Sequence, residues 1–181
     1  MTAARPLPAV RRVEPDDWRS LRELRLAALQ DQAAPIAFLD TFSAAAQRPD
    51  RYWQDRAANA AVGGPAAQFV GVTSDGAWVG SVTGLLEEPG TADVLGAPVT
   101  ARQVHVVGVY VRPEHRGSGL LDRLLDELAR WAREQGLGRA RLYVHEENQR
   151  AQAAYRKSGF TPSGHRVNGA LGAELEMVRA L

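Results

Sequence analysis

The chain contains no cysteine. That removes disulfides, thiolate metal sites and cysteine nucleophiles together. No apolar run approaches the roughly 20 residues needed to span a bilayer. The opening stretch, Met1 to Pro15, lacks the apolar core of a signal peptide. No histidine or carboxylate spacing argues for a metal site. Neither sign of charge is in excess: 22 Lys and Arg face 21 Asp and Glu, a net charge of +1. Such balance offers no broad attraction to nucleic acid or to an acidic membrane surface. The expectation is a soluble cytoplasmic protein with neither nucleic acid nor membrane as partner.

What is present fits one globular domain. The chain has 181 residues, 45% apolar and 24% charged, enough for a sizeable core. A single domain over 1–181 is expected, with 1–8, marked by Pro6 and Pro8, as a flexible tail. No internal repeat or low-complexity tract occurs.

Ala9 to Val13 reads as a short strand. Glu14-Pro15-Asp16-Asp17 then opens a helix, with acids at the positive end of its dipole. Trp18, Leu21, Leu24, Ala28 and Leu29 follow at helical spacing. Ala33 to Phe42 is irregular, and Pro49-Asp50 opens a second helix carrying Tyr52, Trp53 and Arg56. Gln68 to Thr73 and Ala77 to Leu86 form a hairpin around Asp75-Gly76. Pro89 to Thr100, with its Gly and Pro, reads as a mobile loop. Gln103 to Val111 is a third strand of this meander. Gly119 to Gln135 is the clearest helix, and Gly136 stops it. Arg139 to Val144 is a strand, parallel to the Gln103 strand because a helix separates them. Gln149 to Lys157 is a helix capped by Asn148 and stopped by Gly159. One or two final strands close the chain, with Glu174 to Ala180 as the one whose alternation is clear. Strands and helices in this order make a mixed α+β sheet.

Chemistry concentrates in Val109-Tyr110-Val111-Arg112-Pro113-Glu114-His115-Arg116-Gly117-Ser118-Gly119-Leu120-Leu121. This is a strand, a glycine-rich turn and an amphipathic helix. Two glycines let main-chain N–H groups converge at a helix N-terminus, an anion site suited to phosphate or pyrophosphate. Arg116 adds positive charge beside it. The plainer alternative is a glycine-eased turn with a solvated arginine. A Walker loop is excluded, because no Gly-Lys followed by Ser or Thr occurs. A Rossmann fingerprint fails too, because Asp122 stands where its third glycine or alanine belongs. A second stretch runs from Leu142 to Phe160. In it Asn148, Ala151 and Tyr155 share one helical face, and the small residue between two polar ones lets a ligand chain approach.

Together these segments closely resemble the GNAT acetyltransferases. Arg116-Gly117-Ser118-Gly119-Leu120 looks like that family's pyrophosphate motif, and Asn148…Ala151…Tyr155…Gly159-Phe160 like its second conserved stretch. The family usually ends the first motif with Gly or Ala where this chain has Leu121. The Leu121 N–H can still donate, provided that the side chain turns away. The resemblance implies a mixed, mostly antiparallel, V-split sheet flanked by helices. It also implies acetyl-CoA as acyl donor and direct attack by the primary amine of a small molecule or of a peptide or protein N-terminus.

The implied roles follow residue by residue. Main-chain groups of Val109 and Val111 pair with the pantetheine arm, unless they simply pair within the sheet. Tyr155 donates to the departing thiolate, against a plain packing role. Asn148 caps its helix and can also touch the pantetheine. Candidates for the base are His105, an imidazole being a residue type suited to that work, and Glu87 or Glu88, acting directly or through water. Each has a solvated reading beside it. Glu114 and His115 are expected at the surface. Phe38, Phe42, Tyr52 and Trp53 fall where the family varies its acceptor pocket, although core packing accounts for most of them. The rival readings are a non-catalytic acyl-CoA sensor on the same fold, a nucleotide-phosphate binder of another class, and an enzyme using a longer acyl-CoA. A homodimer is the default assembly.

Overall fold

The computed structural model describes residues 7–181. Met1 to Pro6, most of the expected tail, lie outside the described residues. Pro8 is buried, and its carbonyl accepts a hydrogen bond from Arg123 Nη1 at 2.7 Å.

Seven strands form one sheet in the order β1-β2-β3-β4-β5-β7-β6. They are β1 (Ala9–Arg12), β2 (Ala66–Val72), β3 (Trp78–Glu87), β4 (Gln103–Val111), β5 (Arg139–His145), β6 (Thr161–Gly169) and β7 (Gly172–Ala180). Neighbours are antiparallel except β4 and β5. The helices are α1 (Trp18–Ala28), α2 (Ala34–Ala37), α3 (Phe42–Ala46), α4 (Asp50–Ala60), α5 (Leu120–Glu134) and α6 (Gln149–Lys157). The stretch 33–42 read as irregular therefore contains one short helix and the start of another. β6 escapes the period-two pattern because almost all of it is exposed, so nothing forces alternation of apolar residues.

α5 lies across one face of the sheet. Leu120, Leu124, Leu125, Leu128 and Trp131 point inward with strand residues such as Phe69, Val82, Val104 and Val106. Each such leucine removed from water contributes about 2 kcal/mol. The approach is close: a Cβ on Gly84 would sit 2.6 Å from Leu128 Cδ1. Helices α1 and α4 cover the other face, where Leu21, Leu24, Trp53 and Ala57 meet Val70, Trp78 and Tyr110.

Two irregularities shape the centre. β4 carries one residue more than β3 between the pairs Ser81↔Tyr110 and Thr83↔Val107. Gly108 sits in this bulge at φ +61°, where a side chain would be strained. β4 and β5 pair only at Val104↔Ala140 and His105↔Arg141, then part. Beyond His105 the outer edge of β4 has no strand beside it, and the sheet splits as the family resemblance implies.

Candidate active site

The split opens a cavity of ≈ 1020 Å³ bounded by β4, the turn before α5, α6, the end of β5 and the α1–α2 region. That is the size of a large ligand pocket.

One side of it is built from main chain. Gly117 and Gly119 adopt φ +71° and +87°, which turns successive N–H groups the same way ahead of α5. The N–H groups of Gly117, Ser118, Gly119 and Leu121 have no acceptor among the described residues. Left over at the positive end of a helix dipole, they suit an anion. The Ser118 hydroxyl donates instead to His115 O at 2.7 Å. Asp122, whose charge opposes an anion, accepts from the Ser158 hydroxyl at 2.5 Å and is held against the end of α6. Leu121 packs partly into the core beneath α5. Arg116 does not extend its side chain as a free phosphate ligand: Nη2 pairs with Asp31 at 2.5 Å and Nε donates to Val111 O at 2.9 Å. Strand alternation leaves the main-chain groups of Val109 and Val111 on the unpaired edge, because Arg112 N donates to Val79 O on the β3 side. Val109 is open there, while the Val111 carbonyl already serves Arg116. These features fit a phosphate-bearing thioester cofactor whose amide arm runs along the β4 edge. His115, expected at the surface, is buried and lines the cavity. Its 3₁₀ turn folds under the glycines, and Glu114 remains outside.

α6 supplies the next wall. Asn148 Oδ1 accepts from Ala151 N at 3.2 Å, capping the helix. Asn148, Ala151 and Tyr155 all line the cavity. The Tyr155 ring packs edge-on to Phe160. Burial pushes its phenol well above the ordinary tyrosine range, so the hydroxyl keeps its proton and acts as a donor.

The remaining wall is built from side chains. At the point where β4 and β5 part, buried Glu87 accepts four hydrogen bonds: from His105 Nδ1 at 2.9 Å, Gln103 Nε2 at 2.9 Å, Arg141 Nε at 2.7 Å and Arg141 Nη2 at 2.8 Å. Burial alone would raise its pKa, but hydrogen bonds and charge from His105 and Arg141 outweigh that and hold it at about 2. A carboxylate so low and so committed is a poor proton acceptor. What it does is orient His105 through Nδ1, leaving Nε2 without a partner among the described residues on a side chain that lines the cavity. Glu88 points away. It is half-exposed, pairs with Arg102 at 2.8 Å, and does not line the cavity. Of the four aromatic residues assigned to an acceptor pocket, only Phe38 lines it. Trp53 is core, Tyr52 packs against the same core, and Phe42 is largely exposed.

The Pro89–Thr100 loop is anchored, not free. Asp93 Oδ1 accepts from Leu95 N and Ala97 N at 2.9 Å each, and Oδ2 accepts from Arg141 Nη2 at 2.7 Å and the Tyr143 hydroxyl at 3.0 Å. Val94 and Leu95 are thereby held at the cavity.

Three charged residues at this end are not recognisable from sequence pattern. Glu174 on β7 lines the cavity. Burial raises its pKa, with nearby His145 and His105 opposing the rise. Arg25 of α1 and Arg56 of α4 line it as well. His145 is also present, but its ring is spent: Nε2 lies 3.0 Å from Leu171 O, and Nδ1 accepts from Glu147 N at 3.2 Å. That pattern leaves neither ring nitrogen free for a substrate.

Comparison with known proteins agrees with this geometry. A 62-residue stretch, 33% of this chain, is 47% identical to mycothiol acetyltransferase of Beutenbergia cavernae, and covers only 20% of that relative's length. An acetyltransferase of the GNAT family from Streptococcus pneumoniae superposes with a TM-score of 0.73 over 97% of this chain and all of its own, at 18% identity. A phosphinothricin acetyltransferase from Sinorhizobium meliloti, solved with AcCoA, gives 0.71 over 96% and 88% of the two chains, at 20% identity. The model of the Acetyltransferase (GNAT) family matches residues 18–160, which takes in the bulged strand, the glycine turn and the Asn148–Phe160 stretch, and the chain belongs to that family.

Proposed function

We propose that the protein is an N-acetyltransferase, moving the acetyl group of acetyl-CoA to a primary amine by direct attack. One observation carries the reading: a single cavity joins the unpaired N–H groups before α5, the open edge of β4 and the Nε2 face of His105.

Acetyl-CoA supplies an electrophilic thioester carbonyl and a thiolate leaving group. The N–H groups of Gly117, Ser118, Gly119 and Leu121 would hold its pyrophosphate, and Val109 its amide arm. The acceptor arrives as an ammonium ion, which Glu174 attracts. His105 Nε2 takes a proton from it, freeing the nitrogen lone pair. Glu87 stays ionised and stabilises the imidazolium that results. As the C–N bond forms and the C–S bond breaks, the nitrogen gives its second proton to the departing sulfur, which leaves as the CoA thiol, while the Tyr155 hydroxyl donates a hydrogen bond to the developing thiolate. A phenol raised by burial makes full proton transfer to sulfur unfavourable, so the hydrogen bond is the contribution. Glu87 is therefore read as a positioning residue, and Glu88 has no part. The reading includes a cytoplasmic location.

The test is a calorimetric titration with acetyl-CoA, with ATP and NADH as controls. Saturable binding of acetyl-CoA alone, followed by CoA release on adding an amine, supports the reading. Preference for ATP or NADH overturns it. Acetyl-CoA binding with no turnover on any amine, and with an affinity indifferent to Tyr155→Phe, would identify an acyl-CoA sensor instead.

A further inference from the structure

Most arginines near the first two long helices have defined partners, and exposed Arg19 lies over the Trp18 ring. Arg11 pairs with Asp17, Arg22 with Asp50, Arg48 with Asp40 and Arg116 with Asp31. Arg12 donates to the carbonyls of Ala60, Ala61 and Ala66. Arg25 has no hydrogen bond or ion pair among the described residues. Its Nε is buried and unpartnered, and its guanidinium lies over the Phe38 ring, 4.6 Å from the centroid. Its neighbour in space is another cation, Arg56, whose only hydrogen bond among the described residues goes to the Tyr52 hydroxyl at 3.3 Å.

Bringing two partly buried like charges together is costly when no carboxylate pairs directly with either; the opposing charge that reaches Arg25, Asp40, is itself paired with Arg48. Here burial, followed by the charge of Arg56, lowers the Arg25 pKa to about 10. Packing does not require the arrangement, since α1 and α4 are already joined by Leu21, Leu24, Trp53 and Ala57. Both arginines line the main cavity. Both also border a small adjoining recess with Gln68, Ser81 and Gly108. They thus stand where the cavity meets the β4 bulge, on the side formed by α1 and α4.

We infer that Arg25 and Arg56 are the recognition site for a carboxylate on the acceptor, so that the substrate is a primary amine bearing a carboxylate. A guanidinium held over an aromatic ring keeps its planar N–H fork free to meet a carboxylate in two parallel hydrogen bonds. Glu174 and His105 receive the amine, and the arginines receive the acid. The near-zero net charge of the whole chain hides this local separation. The inference rests on the acetyl-transfer reading and goes beyond it in naming the acceptor class.

Matched acceptors test it: α-amino acids, their α-carboxamides and the corresponding phosphonates. Peptides with a carboxylate only on a side chain are added to separate free amino acids from acidic peptides. A thiol reagent reports CoA release without background, because the chain has no cysteine. A charge-assisted pair predicts a KM for the carboxylate about 10- to 100-fold below that of the carboxamide. In Arg25→Gln and Arg56→Gln the ratio falls towards one, with acetyl-CoA affinity unchanged. Arg25→Lys, which keeps the charge but loses the fork, lies between. Equal KM values in the wild type, a preference for the phosphonate, or a ratio that survives both glutamine variants overturns the inference. So does a wild type that binds acetyl-CoA yet turns over none of the panel. Failure of the underlying reading appears separately, as no binding of acetyl-CoA by the wild type or as no turnover of any amine, including amines without a carboxylate.

Discussion

The two sides of the cavity are made of different materials. The side facing α5 and α6 presents main-chain N–H groups, set by two positive-φ glycines and a helix start. The side facing α1, α4 and β7 presents side chains, each held by a partner far away in sequence or left deliberately without one. Main-chain recognition ignores most substitutions as long as the turn survives, so it suits a constant cosubstrate. Side-chain recognition changes with single residues, so it suits an acceptor that differs from protein to protein.

The comparison can be broken from the side-chain half first. His105→Gln should lower kcat/KM for the amine by about 10²–10⁴, while calorimetry finds acetyl-CoA affinity unchanged; equal losses of both would mean the two sides are not separable. Glu87→Gln should cost about 3 kcal/mol of stability in denaturant titration, as expected when one member of a buried ion pair is removed. Its sign with pH is fixed. The folded pKa of about 2 lies below the ordinary 4.5, so the stabilisation is complete above 4.5 and is lost as pH falls towards 2. Glu87→Gln should flatten that acid limb, and an unchanged limb would assign it to other carboxylates. The smallest effect belongs to the main-chain half. Gly119→Ala meets no steric neighbour but places a side chain at φ +87°, a strain of about 1–2 kcal/mol. It should weaken acetyl-CoA about tenfold and leave the acceptor KM alone; a shift in acceptor KM would tie the glycine turn to the other side.

This contrast also explains what could be read from the sequence. The turn at 116–121 is legible because its conformation is local, fixed by glycines within six consecutive positions. The Asn148–Tyr155 face is legible because helical spacing is local too. His105 and Glu87 could be nominated from strand position, but their division of labour depends on Arg141, which pairing with β4 brings beside them. Glu88 differs from Glu87 by one residue, and strand alternation alone turns it to solvent. Arg25, Arg56 and Glu174 leave no signal, because what singles them out is a partner's absence or a cavity's nearness. β6 and α2 were obscured for a simpler reason: an exposed edge strand and a one-turn helix carry little pattern.

Arg141 serves two masters, since one guanidinium grips both Glu87 and Asp93. Over generations, the loop from Pro89 to Thr100 can therefore drift in sequence and re-tailor the mouth of the cavity, provided that position 93 stays acidic. Acceptor preference can be inherited as a loop graft, and the residue that a graft must preserve is the one whose side chain never reaches the solvent.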